Sequence, residues 1–149
     1  SKSDYSLSMR TLFIIPLVLM SLVSFPSWGL TMDDLVERDG IYYKKFGDVP
    51  FTGEVKGVHS GITAGKLKNG RREGNWIDYW KHGQLWYKGN FTNGREEGSW
   101  ISYWGNGQLM YRGDFKNGRK EGSWNSYMED GTIWKNRTGT YHNGMKVSD

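Results

Sequence analysis

Two consecutive stretches decide the fold: GKLKNGRREGNWIDYWKHGQLWYK over residues 65–88 and GNFTNGREEGSWISYWGNGQLMYR over residues 89–112. Both are 24 residues long, and they agree at most of their glycine, tryptophan and tyrosine positions. A third copy fills 113–138 with two extra residues near its end, and a partial copy follows over 139–149. A fixed period of this length is the signature of a repeat protein whose units bury their apolar faces against one another.

Each unit carries two turn signals in which a polar residue precedes glycine. Such pairs accept positive φ at both central positions, so we expect two-residue type I′ hairpin turns at every one of them. One series is Asn69-Gly70, Asn93-Gly94, Asn117-Gly118 and Asn143-Gly144, and the other is His82-Gly83, Asn106-Gly107 and Asp130-Gly131. Strands of six to eight residues remain between the turns. The sequence therefore predicts an all-β fold, an elongated single-layer antiparallel meander of stacked hairpins.

The two-residue turns also predict the strand register. In the first unit they place Trp80 opposite Leu85 and Trp76 opposite Gly89, so that an indole ring can lie across a bare glycine. Cross-strand packing of aromatic rings stabilises a sheet by about 0.2–1 kcal/mol per pair. The same register puts Trp80 and Trp86 on opposite faces of the sheet.

The next units extend this register. Trp100 is predicted to face Gly113, and a tight turn between the units is predicted to set Tyr87 beside Trp100 and Gly89 beside Gly98. The two extra residues of the third unit would bring Trp124 opposite a non-glycine residue, so we expect a bulge or frayed pairing there.

Composition excludes several classes of protein. The 149 residues include 21 Gly, 8 Trp and 9 Tyr but no Cys and only three His, which leaves no disulfide scaffold, thiolate zinc site or cysteine nucleophile. The sequence contains no P-loop, G-x-S-x-G or H-E-x-x-H motif. The 20 Lys and Arg are interleaved with 16 Asp and Glu, unlike the basic stripe of a nucleic-acid binder. We expect a non-enzymatic protein with no cofactor, no metal and no nucleic-acid partner.

Three glutamates recur at the same place in each unit, at 73, 97 and 121. A ladder of carboxylates could hold cations only if its oxygens converged on one point. Because arginine and lysine residues adjoin each glutamate, we expect salt bridges to the neighbouring hairpin instead.

The N-terminal region has features of export. Residues 12–25 are an uncharged apolar stretch that follows Arg10, and Ser27-Trp28-Gly29 offers small residues for cleavage before Leu30. We expect a signal peptide over 9–29, preceded by upstream residues 1–8, and an exported protein in the periplasm or outside the cell. An uncleaved membrane anchor is the alternative.

Residues 30–64 are expected to form an N-terminal cap on the repeats. The segment beginning at Thr31 (TMDDLVE, 31–37) predicts a short helix. DGIYYKK (39–45) and FTGEV (51–55) predict a divergent hairpin.

The repeat has the pattern K-N-G-x-x-x-G-x-W-x-x-Y-x-x-x-G-Q-L-x-x-x-G. Its positions in the first unit are Lys68-Asn69-Gly70, Gly74, Trp76, Tyr79, Gly83-Gln84-Leu85 and Gly89. This pattern resembles the MORN repeat variant family over about 85 residues. It departs from the family pattern at Thr92 and Thr132. The resemblance implies a single-layer sheet of hairpins that serves as an interaction module. Members are often labelled YwqK-type antitoxins, and better-studied MORN proteins are linked to membrane lipids and protein scaffolding.

The aromatic stripe is the predicted contact surface, because a single-layer sheet has no second layer to cover it and exposed apolar patches mark binding sites. The candidate binding residues are Trp76, Trp80, Trp86, Tyr87, Trp100, Trp104, Tyr111 and Trp124. The leading hypothesis is binding of another protein. An antitoxin-like inhibitor, a binder of envelope glycan and a binder of anionic lipid are the alternatives.

Overall fold

The computed structural model describes residues 29–57 and 63–149 and confirms the all-β prediction. Within these ranges one short 3-10 helix, Met32–Asp34, is followed by eleven strands. They are β1 (Leu35–Arg38), β2 (Ile41–Lys44), β3 (Gly53–Lys56), β4 (Thr63–Lys68), β5 (Arg71–Tyr79), β6 (Leu85–Thr92), β7 (Arg95–Tyr103), β8 (Leu109–Lys116), β9 (Arg119–Ser126), β10 (Gly139–His142) and β11 (Met145–Ser148). The predicted signal-peptide core over 12–25 lies outside the described residues.

The predicted meander is confirmed. In the described part of the chain, β3 to β11 form one nine-stranded sheet in chain order, here called the main sheet. Each of its strands is antiparallel to the next. β1 and β2 form a separate antiparallel pair. No helix in residues 29–57 or 63–149 is long and apolar enough to cross a membrane.

The Asn-Gly turns have the predicted geometry. Asn93 and Gly94 have φ values of 49° and 81°, and the other three Asn-Gly pairs are alike. Positive φ at both central residues defines the type I′ turn, which asparagine and glycine tolerate best. The Asn-Gly series therefore sets the tight connections within the main sheet.

The second series of turns is different, and the prediction of two-residue turns there is wrong. Of the pair His82-Gly83, only Gly83 has a positive φ. The N–H of Gly83 donates to the carbonyl of Trp80 at 2.8 Å, and the N–H of Trp80 donates to the carbonyl of Gln84 at 2.7 Å. This is a three-residue loop, a type I turn closed by a left-handed glycine. The loops at 106–107 and 130–131 repeat it.

The longer loop shifts the register beside it. Tyr79, not Trp80, is opposite Leu85, while Asp78 remains opposite Tyr87. Trp86 is the extra residue between these two pairs, so it forms a bulge. The bulge brings the rings of Trp86 and Trp80 to a centroid distance of 4.9 Å, and their predicted placement on opposite faces is wrong.

The buried tryptophans of the repeat pack on glycines of the preceding strand, not on the glycines opposite them on the following strand. Trp76 is opposite Gly89 in the strand register, as predicted. Its indole ring, however, lies over Gly65, where an added Cβ would come closer than 3.0 Å to the ring. Trp100 covers Gly89 in the same way, and Trp124 covers Gly113.

A bulge between β6 and β7 accompanies the position of the Trp100 ring over the preceding strand. Tyr87 is opposite Ser102 rather than Trp100, and the ladder is interrupted between Lys88 and Asn90. Gly98, in the interrupted stretch, has a φ of 67°. The predicted pairing of Gly89 with Gly98 is therefore wrong. The ring of Trp100 occupies the space above Gly89 and stacks on the ring of Tyr87, with centroids 5.7 Å apart.

The two-residue insertion in the third unit forms an extra turn rather than the predicted bulge or frayed end. The carbonyl of Trp134 accepts hydrogen bonds from the N–H groups of Arg137 and Thr138, both at 2.9 Å. The turn places Gly139 opposite Trp124, instead of the predicted non-glycine residue. Trp124 therefore has a glycine opposite it, as Trp76 and Trp100 do.

The region before the repeats departs from its prediction. Helical structure is limited to Met32–Asp34, and residues 35–37 of the predicted helix lie in β1. β1 pairs with β2, while β3 pairs with β4, so the predicted pairing of 39–45 with 51–55 is wrong. The two segments still touch, because the N–H of Phe51 donates to the carbonyl of Tyr42 at 2.9 Å. The N–H of Lys56 donates to the carbonyl of Leu30 at 2.8 Å along the first edge of the main sheet.

Replacing Gly89 by alanine tests the packing of indole on glycine. The new methyl group would overlap the ring of Trp100, so Gly89→Ala should lower the free energy of unfolding by about 1–3 kcal/mol. Gly105→Ala is the matched control, because an added Cβ at Gly105 meets only an ordinary contact, 3.4 Å from His82. We expect that control to stay within about 0.5 kcal/mol of the unsubstituted chain in urea denaturation. Equal stability losses in both variants would contradict the packing.

Candidate functional site

Five of the predicted binding residues belong to a continuous stack of aromatic rings, here called the aromatic ladder. Trp76, Trp100 and Trp124 are buried, with at most 6% of their surface exposed. Tyr87 and Tyr111 stack beside them and are partly buried. The rings of the ladder are Trp76, Tyr87, Phe91, Trp100, Tyr111, Phe115, Trp124 and Tyr141. Most of the predicted contact stripe is thus packed inside the protein.

Sequence reasoning missed three members of this ladder. Phe91 lies edge-on between Trp76 and Trp100, at centroid distances of 6.0 and 5.0 Å. Phe115 lies in the same way between Trp100 and Trp124, and Tyr141 packs edge-on against Trp124. The signal was present in the sequence, because an aromatic residue follows two positions after each glycine that starts a unit at 89, 113 and 139.

Cations cover both ends of the aromatic ladder. The guanidinium of Arg72 lies 4.9 Å from the ring centroid of Trp76 and 5.2 Å from that of Phe91. The ammonium of Lys120 lies 4.2 Å from the ring centroid of Trp124. Cation–π contacts of this kind are attractive and shield the rings from water. Burial, together with the nearby Arg137, lowers the pKa of Lys120, and burial raises the pKa of Tyr87 and of Tyr111.

The other predicted aromatic residues, Trp80, Trp86 and Trp104, lie at the three-residue loops. The indole N–H of Trp80 donates to the carbonyl of Tyr103, and that of Trp104 donates to the carbonyl of Tyr127, both at 3.0 Å. These bonds join each loop to the next. Trp86 keeps 37% of its surface exposed. We call these three residues the loop tryptophans, the accessible remainder of the predicted aromatic surface.

The repeated glutamates accept hydrogen bonds from the backbone of the next turn. The predicted salt bridges to arginine and lysine are therefore wrong. Glu73 accepts a hydrogen bond from the N–H of Asn93, and Glu97 accepts one from the N–H of Asn117, both at 2.8 Å. Glu121 bonds to the N–H of Asn143 at the same distance. Each carboxylate thus fixes the type I′ turn of the following unit.

Glu121 has a second partner, because its other oxygen lies 2.9 Å from Nδ1 of His142. The hydrogen bond from the Asn143 N–H, followed by that from His142, lowers the pKa of Glu121. A carboxyl whose pKa is depressed in the folded state stabilises the fold above its unfolded pKa. That stabilisation is lost as the pH falls through the folded pKa.

This pattern predicts the titration of Glu121 by NMR. His142→Ala should raise the pKa of Glu121 while leaving it below the ordinary glutamate value, because the larger cause, the Asn143 N–H, is retained. His82→Ala, which removes an imidazole from a different loop, should leave the pKa of Glu121 unchanged. A pKa at the ordinary value in the unsubstituted chain, or one that does not respond to His142→Ala, would contradict the arrangement.

A groove of about 870 Å³ crosses the main sheet from β4 to β9. Side chains alternate between the two faces of a strand, so the immediate neighbours of each buried tryptophan point away from the aromatic ladder. Those neighbours supply six of the sixteen lining residues. They are Asn75 and Ile77 around Trp76, Ser99 and Ile101 around Trp100, and Ser123 and Asn125 around Trp124. The groove therefore lies on the face opposite the ladder, a placement that the sequence reasoning did not foresee.

The intervening strands β6 and β8 add charged and amide groups to the groove. Lys88 and Asn90 flank Gly89, and Arg112 and Asp114 occupy the equivalent positions one repeat later. Asp114 accepts a hydrogen bond from the hydroxyl of Ser99 at 2.6 Å. The lining thus combines amides, hydroxyls, two basic side chains and one carboxylate, but most of the surface that the groove exposes is apolar.

The structure assembles no group of three or more metal-ligating side chains within residues 29–57 and 63–149. His82 bonds to the carbonyl of Gly105 at 2.6 Å, and Asn106 at the equivalent position bonds to the carbonyl of Glu129 at 2.9 Å. This histidine therefore links neighbouring loops, as the asparagine does one repeat later.

No protein-family model matches this chain, and no curated protein matches it. The resemblance to MORN repeat variants therefore stays a prediction from the sequence pattern.

Proposed function

We propose that this protein is an interaction module that binds another protein in the groove on the face opposite the aromatic ladder. The observation that carries the proposal is the groove itself, which six consecutive strands line with repeating side chains. Concave surfaces that extend over several units are how repeat proteins bind extended partners.

The two faces of the main sheet differ in how much side-chain surface they expose. This difference favours the groove, rather than the predicted aromatic stripe, as the binding surface. The rings that give the stripe its hydrophobicity are packed on glycines, wedged by phenylalanines and covered by cations, so they offer little surface to a partner. The groove presents side chains that are exposed, among them Lys88, Ser99, Arg112 and Ser123. The likeness to MORN repeats, whose members serve as interaction modules, points the same way.

Photo-crosslinking in cells of the source organism tests this proposal. A photoreactive amino acid at Ser123 would report on the groove, and the same amino acid at Lys81, an exposed loop position, would report on the region of the loop tryptophans. We expect a discrete protein adduct from position 123 that is absent from position 81.

Ile101→Glu in the crosslinking chain provides the second arm of this experiment. Because Ile101 is only partly buried, the substitution does not place a carboxylate in the core. It changes the groove floor at this position from aliphatic to charged. The adduct from position 123 should disappear in this variant. An adduct formed only from position 81 would favour the loop tryptophans instead. Recovery of lipid or glycan without protein would contradict the proposed function.

A further inference from the structure

The Asn-Gly turns between the repeat units bring together two groups that can react with each other. The backbone nitrogen of the glycine, once it has lost its proton to solvent base, can attack Cγ of the preceding asparagine, and glycine has no Cβ to hinder that approach. The new C–N bond closes a succinimide ring, while the Cγ–Nδ2 bond breaks and ammonia leaves with a proton from water. Water then opens the ring at either carbonyl, which gives aspartate or isoaspartate. The chain contains such pairs at 69–70, 93–94, 117–118 and 143–144.

Every one of these turns restrains the attacking nitrogen. In each turn the glycine N–H donates to a carbonyl earlier in the chain, as Gly94 does to Arg72 at 2.9 Å. The other donors are Gly70, Gly118 and Gly144. This hydrogen bond must open before the nitrogen can react, and local openings differ in free energy from one site to another. The rate at each turn therefore depends on what else holds the turn closed.

Two of the asparagine side chains are held by an arginine. Nη1 of Arg95 donates to Oδ1 of Asn117, and Nη1 of Arg119 donates to Oδ1 of Asn143, both at 2.7 Å. A hydrogen bond from an ionised donor is stronger than one between neutral groups. Because the arginine fixes the side-chain carbonyl, this bond must break before Cγ can swing toward the glycine nitrogen. These two turns are therefore restrained at both reacting atoms.

The turn at Asn69 is covered by β2. Gly70 is buried, and a Cβ added to it would come closer than 3.0 Å to Ile41. Its carbonyl accepts a hydrogen bond from the N–H of Tyr42 at 2.9 Å. Gly70 is thus bonded through both its N–H and its C=O, and exposure of its nitrogen would also break its packing against β2.

Asn93 has neither of these additional restraints. Arg71 is the equivalent of Arg95 and Arg119, but it forms no hydrogen bond with Asn93, whose side chain has no hydrogen-bond partner within residues 29–57 and 63–149. Asn93 and Gly94 are both exposed, so water and base reach them. We infer that Asn93 is a site of spontaneous deamidation in the folded protein and that it reacts faster than the other three Asn-Gly sites.

The product would alter a contact between the first and second units. The backbone N–H of Asn93 donates to Glu73 at 2.8 Å, so the new carboxylate would arise beside an existing one. Isoaspartate would in addition route the main chain through the former side chain and lengthen it by one methylene. A type I′ turn has only two central residues with closely defined dihedral angles, and it does not accommodate the extra atom. Deamidation at residue 93 should therefore loosen this junction.

Peptide mapping of the full chain by mass spectrometry tests this inference, since it resolves asparagine, aspartate and isoaspartate at each site. The folded chain is incubated at mildly alkaline pH, and the chain unfolded in urea provides the rate of each site without native contacts. We expect the ratio of folded to unfolded rate to be at least about fivefold higher at Asn93 than at Asn69, Asn117 or Asn143, the effect of about one hydrogen bond.

Arg95→Met isolates the contribution of the arginine, because it keeps much of the aliphatic side chain and removes the guanidinium. The folded rate at Asn117 should rise at least about fivefold. The rate at Asn143 should not change, because its own arginine is retained. Arg112→Met is the matched control, since it removes the same charge from an exposed residue outside these turns and should leave all four rates unchanged.

Three results would overturn the inference. The first is a folded chain in which Asn93, corrected for its unfolded rate, reacts no faster than Asn117. The second is a folded chain that does not react at Asn93 while the unfolded chain does. The third is an unchanged rate at Asn117 in Arg95→Met, which would show that the arginine bond does not protect its asparagine.

Discussion

The packing of a tryptophan ring on the glycine of the preceding strand is the contact on which the repeat depends. The indole fills the space that any Cβ would occupy, and its N–H donates to the carbonyl of the next residue, as Trp100 does to Asn90 at 3.2 Å. Each tryptophan thereby holds the first strand of its own unit through both packing and a hydrogen bond. The glutamates that fix the next Asn-Gly turn join each unit to the following one. Since the glutamate contacts join neighbouring units, stability should grow with the number of units.

This contact also determines what each face of the sheet can do. A single layer of strands has one side for a core, and here the rings provide that core themselves, with Phe91 and Phe115 between the indoles and cations above them. The residues on either side of each tryptophan in the chain necessarily point the other way. They are free to vary in chemistry, and in this chain they are mostly polar. The proposed function rests on this opposite face.

The sequence was sufficient for the meander, for the type I′ turns and for the opposition of Trp76 to Gly89, because each follows from spacing and local backbone preference. It was insufficient at the second series of turns, since a polar residue before glycine suits both a two-residue and a three-residue loop. The three-residue loop, which the sequence did not distinguish, places Trp80 and Trp86 on the same side of the sheet. The sequence also did not show which glycine each indole covers, because Trp76, Trp100 and Trp124 each have a glycine on both neighbouring strands. At Trp100, packing on Gly89 accompanies the bulge around Gly98. Strand alternation puts the groove residues on one face, but nothing in the sequence pattern showed that they would line a groove.

The most direct test is the proton NMR spectrum of Gly65, Gly89 and Gly113. A proton held against the face of an indole is shifted strongly upfield by the ring current. The account predicts upfield-shifted Hα signals at all three glycines, with nuclear Overhauser contacts to the rings of Trp76, Trp100 and Trp124 respectively. Replacing Trp100 by leucine should restore an ordinary shift at Gly89 alone. Ordinary Hα shifts at all three glycines in the folded chain, or contacts from Gly89 to Trp76 instead of Trp100, would contradict the account.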